Sequence, residues 1–127
     1  MNQVTVPVRD IDESVVFYQT LGLTLIVLSP HYARFACGAQ GSTFSIHRAE
    51  PGQAIGSSTV VYFESDRLDE WCEELAGKGI AFESRPADQP WLWREARLRD
   101  PSGNPICLYF GGENRLHPPW RLKDTKA

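Results

Sequence analysis

The sequence predicts a single α+β domain built from two copies of a βαβββ module, whose curved mixed sheets surround one cleft. Three observations lead to this prediction. Strand-like and helix-like runs follow one another in the same order in both halves of the chain. Matching residues recur at a fixed offset between the halves. The length of 127 residues, with 42% hydrophobic and 23% charged residues, suits one globular domain with its own core.

The first half of the chain reads as a strand, a helix and three more strands. Residues 4–8 are β-branched apart from Pro7, and a proline is tolerated only at the edge or the end of a strand. Asp10 can cap a helix with apolar residues at helical spacing, and Gly22 ends it. The remaining strands of this half are predicted at residues 23–28, 32–37 and 43–48.

The second half repeats this order after a predicted linker at residues 49–58. A strand at residues 59–63 precedes a helix that Asp66 is expected to cap and that Gly77 and Gly79 end. The last predicted extended segments are residues 80–83, 91–99 and 106–110, with a turn at Asp100-Pro101-Ser102-Gly103-Asn104 before the final one.

The repeat can be tested by sliding one half along the other. An offset of 57 pairs Ile11 with Leu68 and Gly22 with Gly79, and an offset of 62 later pairs Ser45 with Cys107. Because a sheet with a helix on one face leaves the other face uncovered, two copies can cover each other and enclose a cleft. The predicted domain spans residues 1–111, with modules at residues 1–49 and 57–111 and a C-terminal tail at residues 112–127.

Charge and composition exclude several classes of partner. The net charge is −3 and the basic residues are scattered, so a nucleic acid partner is not expected. The longest apolar stretch, residues 23–28, is far shorter than the ~20 residues that cross a bilayer, so a cytoplasmic protein without a membrane partner is expected. Three cysteines without a Cys-x-x-Cys pair indicate reduced thiols rather than disulfides or structural zinc.

Two stretches of sequence resemble a known superfamily. The segments VRDIDESVVFYQTLGL and RLRDPSGNPICLYF are similar to the two signature stretches of the vicinal oxygen chelate superfamily. This superfamily includes glyoxalase I, extradiol dioxygenases, fosfomycin-resistance enzymes and bleomycin-binding proteins. The resemblance covers residues 3–111 and implies the two-module fold with a small-molecule cleft. Its Phe-Tyr-x-x-Leu-Gly-Leu and Asp-Pro-x-Gly-Asn motifs are specific for the fold but not for an activity.

The resemblance also implies where metal ligands would lie. Metal-dependent members carry one ligand on the first and one on the last strand of each module, usually two His and two Glu. In this chain those positions hold Gln3, Ser45, Val60 and Cys107. Only Cys107 is a strong ligand type, and Val60 offers no donor atom. The family's metal set is therefore not expected to be present, and no cofactor is predicted.

A two-residue shift of this alignment keeps each residue on the same strand face. The shifted positions are Thr5, His47, Tyr62 and Tyr109, with Glu64 on the face of Tyr62. His47 and Glu64 thus remain candidate ligands of a divalent metal. Their alternative roles are a hydrogen-bonded histidine and a solvated carboxylate.

Aromatic residues are the main feature expected at the cleft. Trp91 and Trp93 are predicted to share a strand face, and Phe35 or Phe44 is a further candidate for the cleft wall. Glu95, Arg97 and Arg99 are predicted to lie together on one face, either as a polar rim to the cleft or as a solvated edge or inter-subunit ion pairs. Aromatic walls suit flat, hydrophobic or cationic ligands, although core packing is the alternative for each ring. The predicted ligand-binding residues are Gln3, Thr5, His47, Tyr62, Trp91, Trp93, Cys107 and Tyr109.

Three hypotheses about function follow. The first is a metal-independent protein that binds an aromatic or hydrophobic compound, resembling the bleomycin-resistance branch. The second is a metal-dependent lyase, isomerase or dioxygenase whose ligands lie elsewhere. The third is a structural or regulatory dimer with a vestigial cleft, which fully buried tryptophans would favour. A homodimer is expected in any case, because sheet edges carrying apolar residues gain by pairing and because the family resemblance implies paired chains.

Overall fold

A computed structural model describes residues 1–56 and 58–123 of the chain. Ser57 of the predicted linker and the last four residues of the predicted tail lie outside the described residues. A 3₁₀ turn at Gly38–Gln40 connects the third and fourth strands. The elements are β1 (Gln3–Val8), α1 (Ile11–Leu21), β2 (Thr24–Ser29), β3 (Tyr32–Cys37), β4 (Ser42–Arg48), β5 (Val61–Glu64), α2 (Leu68–Gly77), β6 (Ser84–Asp88), β7 (Arg94–Arg99), β8 (Pro105–Phe110) and α3 (Glu113–Leu116).

The strands form two four-stranded sheets with the same order. The first sheet runs β1-β4-β3-β2 and the second runs β5-β8-β7-β6. The helices begin at Ile11 and Leu68, which are 57 residues apart, and Gly22 and Gly79 follow them with φ of 109° and 91°. Glycine suits both positions because side chains strongly disfavour this left-handed backbone. The predicted α+β fold of two βαβββ modules is confirmed.

Contacts divide the chain into two compact units. The first unit comprises Met1–Val60 together with Arg99–Ile106, and the second comprises Val61–Leu98 together with the chain from Cys107 onward. The turn between β7 and β8 therefore belongs to the first unit, although it lies in the second half of the sequence. No helix in the described part of the chain is long and apolar enough to span a membrane.

The core of the first unit packs between its sheet and α1. Within the sheet β1 pairs parallel to β4, whereas β3 pairs antiparallel to both β4 and β2, and the edge position of β1 tolerates Pro7 as predicted. Phe35 and Phe44 are buried, and their ring centroids lie 5.7 and 4.7 Å from that of Tyr18 on α1. Their expected place in a cleft wall is wrong, because both residues point from the sheet face that α1 covers.

The Asp100-Pro101-Ser102-Gly103-Asn104 turn is organised around a buried carboxylate. Asp100 is 4% exposed, and its Oδ2 accepts hydrogen bonds from the Tyr18 hydroxyl (2.7 Å) and the Asn104 amide (2.9 Å). Its Oδ1 accepts from the backbone N–H groups of Ser102 and Asn104, both at 2.9 Å. Burial and the adjacent carboxylate raise the pKa of Tyr18, which keeps this hydroxyl a donor. The motif therefore has a structural role in the first unit.

The same turn is joined to the segment between β1 and α1. Asn104 Nδ2 donates to the carbonyl of Pro7 (2.9 Å), and the backbone N–H of Arg9 donates to Ser102 Oγ (2.9 Å). The Arg9 guanidinium donates to the carbonyls of Ser102 and Pro101, at 3.2 and 2.8 Å. These contacts explain why the first unit includes residues 99–106.

The start of α2 differs from the sequence prediction. Arg67 occupies the N-cap position and makes no side-chain cap, while Ser65 Oγ accepts a hydrogen bond from the Arg67 N–H at 3.0 Å. Asp66 stands one residue too early to accept from the first turn of the helix, so its predicted capping role is wrong. A serine turn replaces the expected aspartate cap.

Two strand predictions in the second unit are also wrong. Residues 80–83 are not a strand, and the strand lies later, at Ser84–Asp88, where Pro86 is tolerated because β6 is an edge strand. The predicted strand at 91–99 begins only at Arg94, because Leu92 has a φ of 67° and turns the chain before it. Trp91 and Trp93 consequently lie in this turn and not on a shared strand face.

Candidate functional site

Three aromatic rings gather on one face of the second sheet. Tyr62 lies on β5, Tyr109 on β8, and Trp93 at the turn before β7. The ring centroids of Trp93 and Tyr109 are 4.7 Å apart, and Tyr62 contacts Tyr109 and Trp93 edge-on at 5.4 and 6.1 Å. Tyr109 is buried whereas Tyr62 is 42% exposed. This aromatic cluster therefore has a packed base and an accessible ring.

An ion pair with a buried carboxylate lies on the same face of the sheet. Glu95 on β7 is 4% exposed, and its Oε1 accepts a hydrogen bond from Arg97 Nη2 at 2.7 Å. The other oxygen, Oε2, accepts from the indole N–H of Trp91, also at 2.7 Å. Both oxygens of this carboxylate are thus engaged. Trp91 remains 44% exposed beside the pair.

Arg97 connects the ion pair with the aromatic cluster. Its Nη2 also donates to the Tyr62 hydroxyl at 3.3 Å, and its guanidinium carbon lies 5.4 Å from the centroid of the Tyr62 ring. The side chain keeps 35% of its surface exposed. The guanidinium is therefore held by a carboxylate and an aromatic ring while it remains open to solvent.

Cys107 lies on β8 with its side chain fully buried. Burial, with a further contribution from Glu95, raises the pKa of the thiol to about 12, against a smaller opposing effect of Arg97. The thiol is consequently protonated at neutral pH, and a protonated thiol is a poor nucleophile. Burial likewise raises the pKa of Tyr109, so its hydroxyl is a neutral hydrogen-bond donor at physiological pH.

Glu64 has a structural role in the second unit. Its Oε2 accepts hydrogen bonds from the backbone N–H groups of Gly111 (2.9 Å) and Gly112 (3.0 Å), and Arg115 lies 3.7 Å from its Oε1. A Cβ on Gly111 would lie 3.0 Å from the indole nitrogen of Trp93, which explains the glycine there. Glu64, which the sequence offered as a candidate metal ligand, binds the segment after β8, where Gly111 lies against the Trp93 ring.

Polar residues form a hydrogen-bonded network on the first sheet. Gln3 Nε2 donates to Ser45 Oγ and Thr5 Oγ1, both at 2.9 Å, and Gln3 Oε1 accepts from the Thr43 hydroxyl. The hydroxyls of Tyr32 and Ser45 are 2.6 Å apart, which lowers the pKa of Tyr32. The parallel register of β1 and β4 places Thr5 opposite Ser45 and thereby creates this network.

His47 lies one step further along β4, opposite Pro7 on β1 and Tyr32 on β3. Its Nδ1 is 3.1 Å from the carbonyl oxygen of Arg48. Among the described residues, His47 makes no hydrogen bond to Gln3, Thr5 or Ser45. The first unit thus brings three of the predicted polar positions together and leaves His47 beside them.

The donor atoms at the four family positions do not fit a divalent metal. Gln3 and Ser45 are hydrogen-bonded to each other, Val60 has no donor atom, and Cys107 is the one strong ligand type among the four. Within the described ranges, no group of three or more His, Cys, Asp and Glu side chains could hold a metal ion.

Sequence reasoning placed several of these residues on shared faces. The repeat register put Tyr62 and Tyr109 together, and period-two alternation put Glu95 and Arg97 on one side of β7. The sequence could not show that Glu95 is buried, because burial depends on tertiary packing, or that Trp91 donates to it from the turn before β7. The first-unit contact of Tyr32 with Ser45 was also missed, since it joins different strands.

Comparisons with known proteins agree with the fold. A model of the Glyoxalase/Bleomycin resistance protein/Dioxygenase superfamily matches residues 1–108. A solved glyoxalase/bleomycin resistance protein/dioxygenase from Nocardioides is 29% identical, with a TM-score of 0.74 over 95% of this chain and 87% of that chain. TnmS3, an antibiotic binding protein from Streptomyces sp. CB03234, is 27% identical, with a TM-score of 0.73 over 85% and 92%.

A lactoylglutathione lyase from Agrobacterium tumefaciens is 22% identical, with a TM-score of 0.70 over 87% of this chain and 92% of that chain. At that identity the likeness shows the fold alone. No curated protein matches the chain.

Proposed function

The chain belongs to the glyoxalase/bleomycin resistance protein/dioxygenase superfamily, and from this premise we propose that it binds an aromatic or hydrophobic small molecule without a resident metal. The observation that carries the proposal is the aromatic cluster of Tyr62, Trp93 and Tyr109, with Trp91 and Arg97 open beside it. Rings that are packed on one side and exposed on the other provide a stacking surface for a planar ligand.

Two further observations support binding over the alternatives. TnmS3, which is 27% identical, is described as an antibiotic binding protein, so the fold serves ligand binding at this level of similarity. A vestigial site would be favoured by fully buried tryptophans, but Trp91 is 44% exposed and Trp93 is half-buried. A metal-dependent lyase, isomerase or dioxygenase has no comparable support from the residues of this chain.

Titration with 2-naphthamide, a neutral planar probe, should quench the tryptophan fluorescence saturably. Trp93→Ala should weaken the affinity by roughly 1–3 kcal/mol if the ring supports the ligand. Binding is measured by calorimetry, so that the loss of a fluorophore does not affect the comparison. Trp120→Ala, which removes an exposed indole of the C-terminal segment, is the matched control and should bind as the unaltered protein does. Equal affinities of the Trp93 variant and the control would remove Trp93 from the site.

Protein purified without a polyhistidine tag should contain far less than one equivalent of zinc, nickel, manganese or iron. The reason is that the amide, hydroxyl and valine side chains at three of the four family positions cannot replace the imidazole and carboxylate ligands that such metals need, and one thiol does not make a site by itself. Elemental analysis measures the content directly. Near-stoichiometric metal that is lost in His47→Ala and kept in His31→Ala would contradict the proposal and favour the enzyme.

We also propose that the protein is a homodimer. The edge strand β2 exposes Ile26, Val27 and Leu28 in sequence, with Ile26 and Leu28 more than half exposed. An edge strand with apolar side chains gains by pairing with a second copy. Sedimentation at micromolar concentration should give twice the 14.3 kDa chain mass, and Ile26→Lys with Leu28→Lys should give the monomer. A monomeric unaltered protein would contradict this proposal.

A further inference from the structure

We propose that the site on the second sheet selects a planar aromatic carboxylate, with Arg97 as the residue that binds the anionic group. This inference rests on the proposed small-molecule binding and adds the charge of the ligand to it. It depends on which hydrogen-bonding groups beside the aromatic cluster already have partners and which do not.

Some of the N–H donors of Arg97 have no hydrogen-bond partner among the described residues. In the part of the chain that the structure describes, its hydrogen bonds to Glu95 and Tyr62 both come from Nη2. A guanidinium carries five N–H donors, so those on Nε and Nη1 are available to a ligand. With 35% of its surface exposed, the side chain can be reached from solvent.

The acidic groups nearby are already engaged, which argues against a cationic ligand. Glu95 is buried, and its two oxygens accept from Arg97 and Trp91. Glu64 accepts from two backbone N–H groups and lies 3.7 Å from Arg115. An incoming cation would have to displace these donors, whereas an anion meets unused ones.

The position of Arg97 is also fixed before a ligand arrives. The ion pair at 2.7 Å and the Tyr62 ring at 5.4 Å restrain the guanidinium from two sides. Little side-chain entropy is therefore lost on binding an anion. The exposed ring of Tyr62 contacts the guanidinium, and the exposed Trp91 is bonded to the carboxylate that pairs with it, so an aromatic acid can contact an aromatic surface and a cation together.

A matched pair of probes tests the inference on the unaltered protein. 2-Naphthoate and 2-naphthamide share one ring system and nearly one size, and they differ in charge. Calorimetric titration at pH 7 should show naphthoate binding about 10- to 100-fold tighter, as one charge-assisted hydrogen bond implies. The preference should shrink as the NaCl concentration rises.

Variants then assign the preference to Arg97. Arg97→Gln should abolish the preference for naphthoate. Because this change leaves Glu95 without its cation, the double variant Glu95→Gln/Arg97→Gln is the version expected to keep its stability, and it too should bind both probes equally. Arg85→Gln removes a positive charge from the edge strand β6 of the same unit and should retain the preference.

Each outcome decides between the proposals. Equal affinities of the two probes for the unaltered protein would overturn the inference and leave the proposed binding function intact. Tighter binding of 2-naphthylmethylammonium than of naphthoate would also overturn it. Binding of none of the three probes would overturn the inference and the proposed function together. A preference that persists in the folded double variant would show that Arg97 is not the selecting residue.

Discussion

Asp100→Ala should lower the free energy of unfolding by about 3–5 kcal/mol, because four hydrogen bonds to a buried carboxylate are lost at once. The substitution leaves the Tyr18 hydroxyl and the amide of Asn104 without this acceptor in a buried environment, where an unsatisfied donor is costly. Urea denaturation followed by tryptophan fluorescence measures the change. Tyr18→Phe, which removes one of the four donors, should cost about 1–2 kcal/mol.

The matched control is Asp88→Ala. Asp88 is also an aspartate, but its side chain is 85% exposed. Its ion pair with Arg94 is therefore screened by water. A change within about 0.5 kcal/mol is expected there. If Asp100→Ala lowered the free energy of unfolding no more than the control does, the hydrogen bonds of this carboxylate would not be important for stability.

Arg97→Met should destabilise the protein by about 2–4 kcal/mol, since it leaves the carboxylate of Glu95 buried without a cation. The lower end of this range allows for the partial exposure of the Arg97 position, since water there can reach the uncompensated charge of Glu95. Glu95→Gln/Arg97→Met removes both charges and should recover most of this loss, to within about 1 kcal/mol of the unaltered protein. Denaturation midpoints of the two variants are compared at pH 7.

Arg94→Met serves as the control on the same strand. Arg94 pairs with Asp69 and Asp88, which are 62% and 85% exposed, so its loss should cost less than about 1 kcal/mol. A double variant that is as unstable as Arg97→Met alone would indicate that the loss arises from packing around the arginine and not from the unpaired charge.

The fold could be predicted because its main signals are local in the sequence and do not depend on tertiary contacts. Helical spacing and the glycines at 22 and 79 predicted both helices to within a residue or two, because these positions need particular backbone angles. The strand at Ser84–Asp88 was missed because its residues are not β-branched and include Pro86, so only pairing with β7 makes them extended.

For the candidate site, the sequence could predict only which residues of the strands share a face of the sheet. Tyr62 and Tyr109 were assigned correctly to one face, whereas Phe35 and Phe44 were assigned wrongly, because alternation shows which residues share a face but not which face a helix covers. The buried state of Glu95 could not be foreseen from the sequence. Burial depends on tertiary packing, and the hydrogen bond from Trp91 comes from a turn with a positive φ at Leu92, where the sequence predicted a strand.

The turn that contains Asp100 has a consequence for how this repeated chain can be divided. A cut in the segment between β4 and β5 would separate the two sequence repeats, yet the amino-terminal fragment would then lack the acceptor for Tyr18 and the contacts of Arg9 with the turn. Such fragments would be expected to regain structure by complementation when mixed. The boundary between the two sequence repeats therefore does not coincide with the boundary between the two compact units.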